Sequence, residues 1–153
     1  MKKLFTIILI FFYYANAQTI PATDNEKFLN FSDIHFDPFY DTTLVMELAG
    51  SDYTEWESIF SKSENKNYSS YGSDCNYFLL KSALSEMSAR IPFPEFIIIT
   101  GDFMSHNFNE KFEKYSGIKN TDSLNLFIEK TIKFTTSMIS KYFPSTTVFP
   151  TVG

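Results

Sequence analysis

Cysteine is almost missing: Cys75 is the only one in 153 residues. That excludes an internal disulfide framework, and it leaves a thiol that in an exported domain is free, bridged to another molecule, or without its partner. Basic residues are also in short supply, with 13 Lys and Arg against 18 Asp and Glu and a formal charge of -5. Such a surface does not invite nucleic acid or an anionic membrane, both of which select basic patches. After residue 14 no apolar run approaches the roughly 20 residues that a membrane span requires. There is no internal repeat and no low-complexity tract. Histidine is scarce as well: His35 and His106 are the only two, and both lie beside acidic residues.

Apolar material is plentiful. Hydrophobic residues make up 44% of the chain, with 18 Phe and 9 Tyr, which excludes a disordered polymer and provides for one domain with a real core. Residues 1–17 have the three parts of a secretory signal peptide: Lys2 and Lys3, an apolar run from Leu4 to Tyr14, and Ala15-Asn16-Ala17 before a cleavage point. The run is too short for a membrane anchor, so the expected product is residues 18–153, secreted or lysosomal and without a membrane span. Loss of Lys2 and Lys3 would leave 11 basic against 18 acidic residues, a charge of -7. Asn67-Tyr68-Ser69 is an expected glycosylation acceptor, whereas Asn30-Phe31-Ser32 fits the same pattern inside an expected strand and should be buried and unmodified.

An apolar stretch from residue 28 leads into Asp33-Ile34-His35, with Asp37 and Tyr40 close behind. On an extended backbone, residues two apart share a face, so Asp33 and His35 would point together like two ligands of one cation. A second strand, FIIIT at residues 96–100, is apolar enough to be covered on both faces and runs into Gly101-Asp102. Between them a helix is expected from Asp74 or Asn76 to Arg90, with Leu80, Ala83, Leu84 and Met87 on its buried face. A second helix begins at Thr121 or Asp122 and buries Leu124, Phe127, Ile128, Thr131, Thr135, Met138, Ile139 and Tyr142 before Pro144 stops it. A third strand covers residues 146–149. Residues 41–72 read as surface loop with one short helix near residues 53–60, and residues 103–120 as a long polar and aromatic loop. The order β-α-β-α-β specifies an α/β fold with a parallel core and right-handed crossovers, in which ligands gather beyond the carboxyl ends of the strands.

With these residues in place, the chain resembles the calcineurin-like metallophosphoesterases and, within them, acid sphingomyelinase and its related phosphodiesterases. The stretches that carry the resemblance are Ser32 through Asp37 and Tyr40, Tyr71 through Cys75, Thr100-Gly101-Asp102 with His106, and Val148 through Gly153. It covers about residues 28–153. The resemblance implies the N-terminal portion of an αββα sandwich and two divalent metals. Mixed imidazole and carboxylate ligation favours zinc, with manganese and iron as the alternatives. It further implies Asp33 and His35 as ligands of the first metal, Asp102 as a bridge between both, and His106 beside the substrate phosphate as the catalytic residue. The implied reaction is hydrolysis of sphingomyelin-like lipids or of small nucleotide or choline phosphodiesters by metal-activated water. Two features depart from the family. The motif that supplies an Asn ligand and a further catalytic His, and the later His ligands, are not within these 153 residues, and Cys75 lacks the partner that the family would give it.

Other readings follow from the same residues. Asp33 or Asp102 alone reads as an ordinary turn or cap carboxylate, and the aromatic loop at residues 103–120 reads as core as readily as substrate contact. An inactive relative that holds one cation weakly, or a metallophosphoesterase acting on monoesters, also fits.

Overall fold

A computed structural model describes residues 27–151. The expected signal peptide at residues 1–17 lies outside the described residues. Strands β1 (Leu29–Ser32), β2 (Phe96–Thr100) and β3 (Thr147–Pro150) form a parallel sheet in the order β1-β2-β3. Leu29 pairs with Ile97 and Phe31 with Ile99, and Ile97 pairs in turn with Val148. These residues face one side, where Ile97 and Ile99 are fully buried.

The other side is less covered than the sequence predicts. Ile98 is only half-buried, and Phe28 and Phe149 keep 54% and 53% of their surface exposed. Three rings pack together there, Phe28 stacked on Phe96 at 5.1 Å and Phe149 edge-on to Phe96 at 6.2 Å. Asn30, expected to be buried, is exposed on the same side. Core burial among the described residues thus falls on the Ile97 face, and alternation along β2 decides which side chains reach it.

Asn76 caps α3 (Tyr77–Arg90) by accepting from the Leu79 N–H at 2.9 Å, and Asn120 caps α5 (Thr121–Tyr142) by accepting from Ser123 at 2.9 Å. The buried face of α3 is Tyr77, Leu80 and Leu84, and that of α5 includes Phe127, Thr131, Thr135, Met138 and Ile139 as the periodicity predicts. Phe134 joins that face and was not expected there.

Residues 41–72 differ from the expected surface loop. They form two helices, α1 (Val45–Gly50) and α2 (Trp56–Ser61), each entered through a 3-10 turn capped by an aspartate. The α2 stretch matches the one short helix expected near residues 53–60. Val45, Leu48, Trp56, Ile59 and Phe60 are buried. Trp56 is fully enclosed, its Nε1 donates to the Leu48 carbonyl at 3.0 Å, and Phe127 and Phe134 lie 5.3 and 5.5 Å from its ring. The segment belongs to the core because its large apolar side chains gain more from burial than six-residue helices cost to order. Residues 103–120 likewise contain α4 (Phe108–Ser116), whose Phe108 and Phe112 are buried against Phe127, so the core reading of those aromatics holds. No described helix is long and apolar enough to cross a membrane.

Candidate functional site

Just past β1, residues 35–37 lie between two other segments. The His35 N–H donates to Asp102 O at 3.0 Å and the Phe36 N–H to Phe103 O at 2.8 Å, while Ser105 returns a bond to Phe36 O at 3.1 Å. On the opposite side, Cys75 N–H donates to His35 O at 3.0 Å and Asp37 N–H to Cys75 O at 2.8 Å. Phe36, fully buried with its ring against Phe60 and Phe134, pins the segment to the core. In this way the end of β1, the lead-in to α3 and the segment after β2 are held at one rim.

The backbone at this rim departs from regular strand geometry. Asp33 and His35 have φ of +52° and +43°, and Gly101 has +80°. For residues that carry a Cβ, such conformations cost about 1–3 kcal/mol each and persist only where their surroundings hold them. β1 ends at Ser32, so the two-residue alternation of an extended chain does not place Asp33 and His35. Instead the Asp33 carboxylate lies over Gly101, where an added Cβ would meet its Oδ1 at 2.2 Å. The Ser32 hydroxyl first, and then the Asp102 N–H, hold the Asp33 carboxyl below the usual carboxylate range despite some opposing burial.

His35 turns the other way. Its Nδ1 lies 3.1 Å from the Met104 carbonyl, which can only accept, so Nδ1–H donates and Nε2 keeps a free lone pair. Its ring stacks on His106 with centroids 4.4 Å apart and planes 13° from parallel. His106 Nδ1 lies 2.6 Å from Asp74 Oδ1, and its backbone N–H donates to Asp74 Oδ2 at 3.2 Å. Lys111 Nζ reaches Asp74 at 2.8 Å and Asp37 at 3.3 Å. Asp37 also accepts from the Phe39 N–H at 3.1 Å, which braces the turn there. A cleft of about 460 Å³ opens here between Asp37, Tyr40, Ser73, Asp74, His106 and Lys111.

Among the described residues, His35, Asp74 and His106 form the group that could hold a metal ion, with ligand atoms all within 4.8 Å of one another. Asp33 and Asp102 sit exposed on the same rim, tied to His35 through the backbone, but their carboxylates are outside that group. The donors fit a divalent cation: one imidazole nitrogen is freed and oriented, and carboxylates lie alongside. Neither Asp74 nor Lys111 is marked as a site residue by the sequence alone. Asp74 reads as a helix cap, and its link to His106 spans 32 residues.

No family model matches the chain. It is similar to two proteins of Dictyostelium discoideum. One is sphingomyelinase phosphodiesterase C, 26% identical over an alignment 152 residues long that covers 95% of this chain and 30% of that protein. The other is sphingomyelinase phosphodiesterase D, 31% identical over an alignment 121 residues long that covers 69% of this chain and 26% of that protein. The chain therefore spans less than a third of the length of these relatives. The rim at the carboxyl edge of the sheet falls within the region matched to phosphodiesterase C.

The Asp74 ion pair sets a pH dependence. Burial raises the Asp74 carboxyl, but Lys111 and His106 outweigh this and hold it below its ordinary 3.8. A carboxyl lowered in the folded state stabilises the fold above its unfolded value, and that contribution is lost as pH falls through the folded value. Lys111→Met, which leaves Asp37 and Asp74 facing each other without their cation, should cost about 1–3 kcal/mol at pH 7. The cost should shrink below pH 3.8 as the Asp74 carboxylate protonates. Urea unfolding at both pH values checks this, and an equal cost at each would refute the ion-pair account.

Proposed function

We propose that this chain carries the N-terminal part of a metal-dependent phosphodiesterase site of the sphingomyelinase type, built on a metallophosphoesterase sandwich. The observation that carries the proposal is the meeting of both histidines with Asp33, Asp74 and Asp102 at one sheet edge. The similarity to two sphingomyelinase phosphodiesterases supports the reaction class. The substrates proposed are sphingomyelin-like lipids or small nucleotide or choline phosphodiesters.

Asp33, His35 and Asp102 would hold two divalent cations, and their mixed donors favour zinc. Bound there, such cations acidify water and offset the charge that repels nucleophiles from a phosphodiester. Asp33 enters as an ionised ligand because Ser32 and the Asp102 N–H favour its charged form. The Met104 carbonyl fixes the His35 ring and leaves Nε2 outward. His106, with Nδ1–H engaged by Asp74, presents Nε2 to the substrate: as the imidazolium it donates the Nε2 proton to a phosphoryl or leaving-group oxygen and returns to the neutral Nδ1–H ring. Export through residues 1–17 and glycosylation at the exposed Asn67 belong to the same proposal.

The test is zinc content together with hydrolysis of a chromogenic phosphodiester by the wild-type chain and by Asp102→Ala. Loss of zinc and at least a roughly hundredfold loss of rate are expected of the variant. Equal rates would sink the proposal. A second reading, a relative that binds one cation without hydrolysis, draws on the single ligand group among the described residues. Two zinc equivalents per chain would rule it out.

A further inference from the structure

We infer that Asp74, braced by Lys111, is the positioning residue of His106: it selects the ring tautomer and aims Nε2 at the substrate. The inference rests on the proposed role of His106 but has a readout of its own. One carboxylate grips one residue at two points, Oδ1 on the ring Nδ1 at 2.6 Å and Oδ2 on the backbone N–H at 3.2 Å. A ring held at a single point can rotate. Held at two, its plane and its backbone are set together. An ionised carboxylate only accepts, so Nδ1 carries the proton and Nε2 keeps the free lone pair when the ring is neutral.

The environment supports this division of labour. The Asp74 side chain is 11% exposed and that of His106 is 70% exposed, so a shielded base of support carries an accessible imidazole. Lys111, itself 24% exposed, bonds Asp74 at 2.8 Å and reaches across to Asp37, tying α4 to the segment after β1. His106 immediately precedes Asn107, whose φ of +53° opens α4, so its backbone is also fixed from the other side. Stacking on His35 then limits the last freedom of the ring. A carboxylate that orients an imidazole through Nδ1 is a recurring solution wherever the opposite nitrogen must work.

The competing role for Asp74 is direct ligation of a cation together with His35 and His106. Both of its oxygens are already engaged, Oδ1 by the ring and Oδ2 by Lys111 and the His106 N–H. A cation there would have to break these bonds and sit beside the Lys111 ammonium, and like charges at such a distance repel.

The experiment uses the full chain, metal-free, with ring nitrogen-15 NMR at a pH where both imidazoles are neutral. His35 and His106 are the only histidines, so comparison with His106→Gln assigns the signals. In the wild-type chain His106 is expected as the Nδ1–H tautomer, and Asp74→Ala should return it to the Nε2–H form that free imidazole prefers. Zinc affinity should be unchanged in Asp74→Ala, while kcat on a chromogenic diester falls about 10- to 100-fold with KM little altered. An Nε2–H tautomer in the wild-type chain overturns the inference even if the variant does not fold. Loss of zinc from Asp74→Ala overturns it in favour of ligation. A wild-type chain without turnover that still shows the tautomer change would refute the hydrolase reading and leave the positioning role supported.

Discussion

Alanine at Gly101 is expected to lower cation affinity at the proposed site by at least about tenfold, and the proposed diester hydrolysis with it, while the helices stay folded. Two effects act together. At a φ of +80° an L-residue is strained by about 1–2 kcal/mol, and the added Cβ would meet Asp33 Oδ1 at 2.2 Å and Cγ at 2.8 Å. The carboxylate must swing away, and the Asp33 backbone nitrogen at 3.2 Å leaves little slack for the chain to follow. Asp33 also donates its N–H to Thr100 O at 2.9 Å, so the displacement is resisted rather than absorbed. Zinc titration by calorimetry, with far-ultraviolet circular dichroism as the folding control, tests it. Wild-type affinity in a folded Gly101→Ala chain would show that Asp33 does not contribute to cation binding.

The largest loss of stability should come from Trp56→Ala, at about 3–5 kcal/mol, the range for truncating a buried large aromatic. Domains of this kind unfold with only about 5–15 kcal/mol, so the variant should be close to its limit at 37 °C. Trp56 has Phe60, Phe127 and Phe134 around it and removes the need for solvent at the Leu48 carbonyl. Truncation opens a cavity among rings that cannot all close on it and leaves that carbonyl with only the long bond from the Ser51 hydroxyl at 3.4 Å. Urea denaturation gives the value directly. A change within about 0.5 kcal/mol, typical of surface positions, would mean that residues 41–72 are peripheral after all.

That segment also shows where sequence patterns stop being informative. α3 and α5 extend far enough for helical spacing to repeat, and β2 is a short apolar run between a Pro-rich stretch and a Gly, so the parallel α/β order could be read in advance. α1 and α2 are six residues each, less than two turns, and no period can build up over that length. A local signal was present nonetheless. Asp41 and Asp52 each precede a Thr by two positions, and each accepts from both the backbone N–H and the hydroxyl of that Thr, at 3.1 and 2.6 Å and at 3.0 and 2.7 Å. The repeated Asp-x-Thr marks two helix entries. At the rim, the residue types Asp33, His35, Asp102 and His106 stood out because acids and the two imidazoles recur near strand ends. The facing of His106 toward Asp74 and Lys111 did not, since it joins segments with no shared periodicity.

The distances along the chain between the partners of the rim have a kinetic consequence. His35, Asp74 and His106 come from three segments, with His106 32 residues beyond Asp74. Closing such loops is entropically unfavourable until the aromatic interior and the sheet have already brought their ends together. The imidazole pair is therefore a late product of the folding reaction. Trp56 and Phe60 gain their partners Phe127 and Phe134 only once α5 has been made, so on the ribosome the rim residues emerge before the interior that will hold them together.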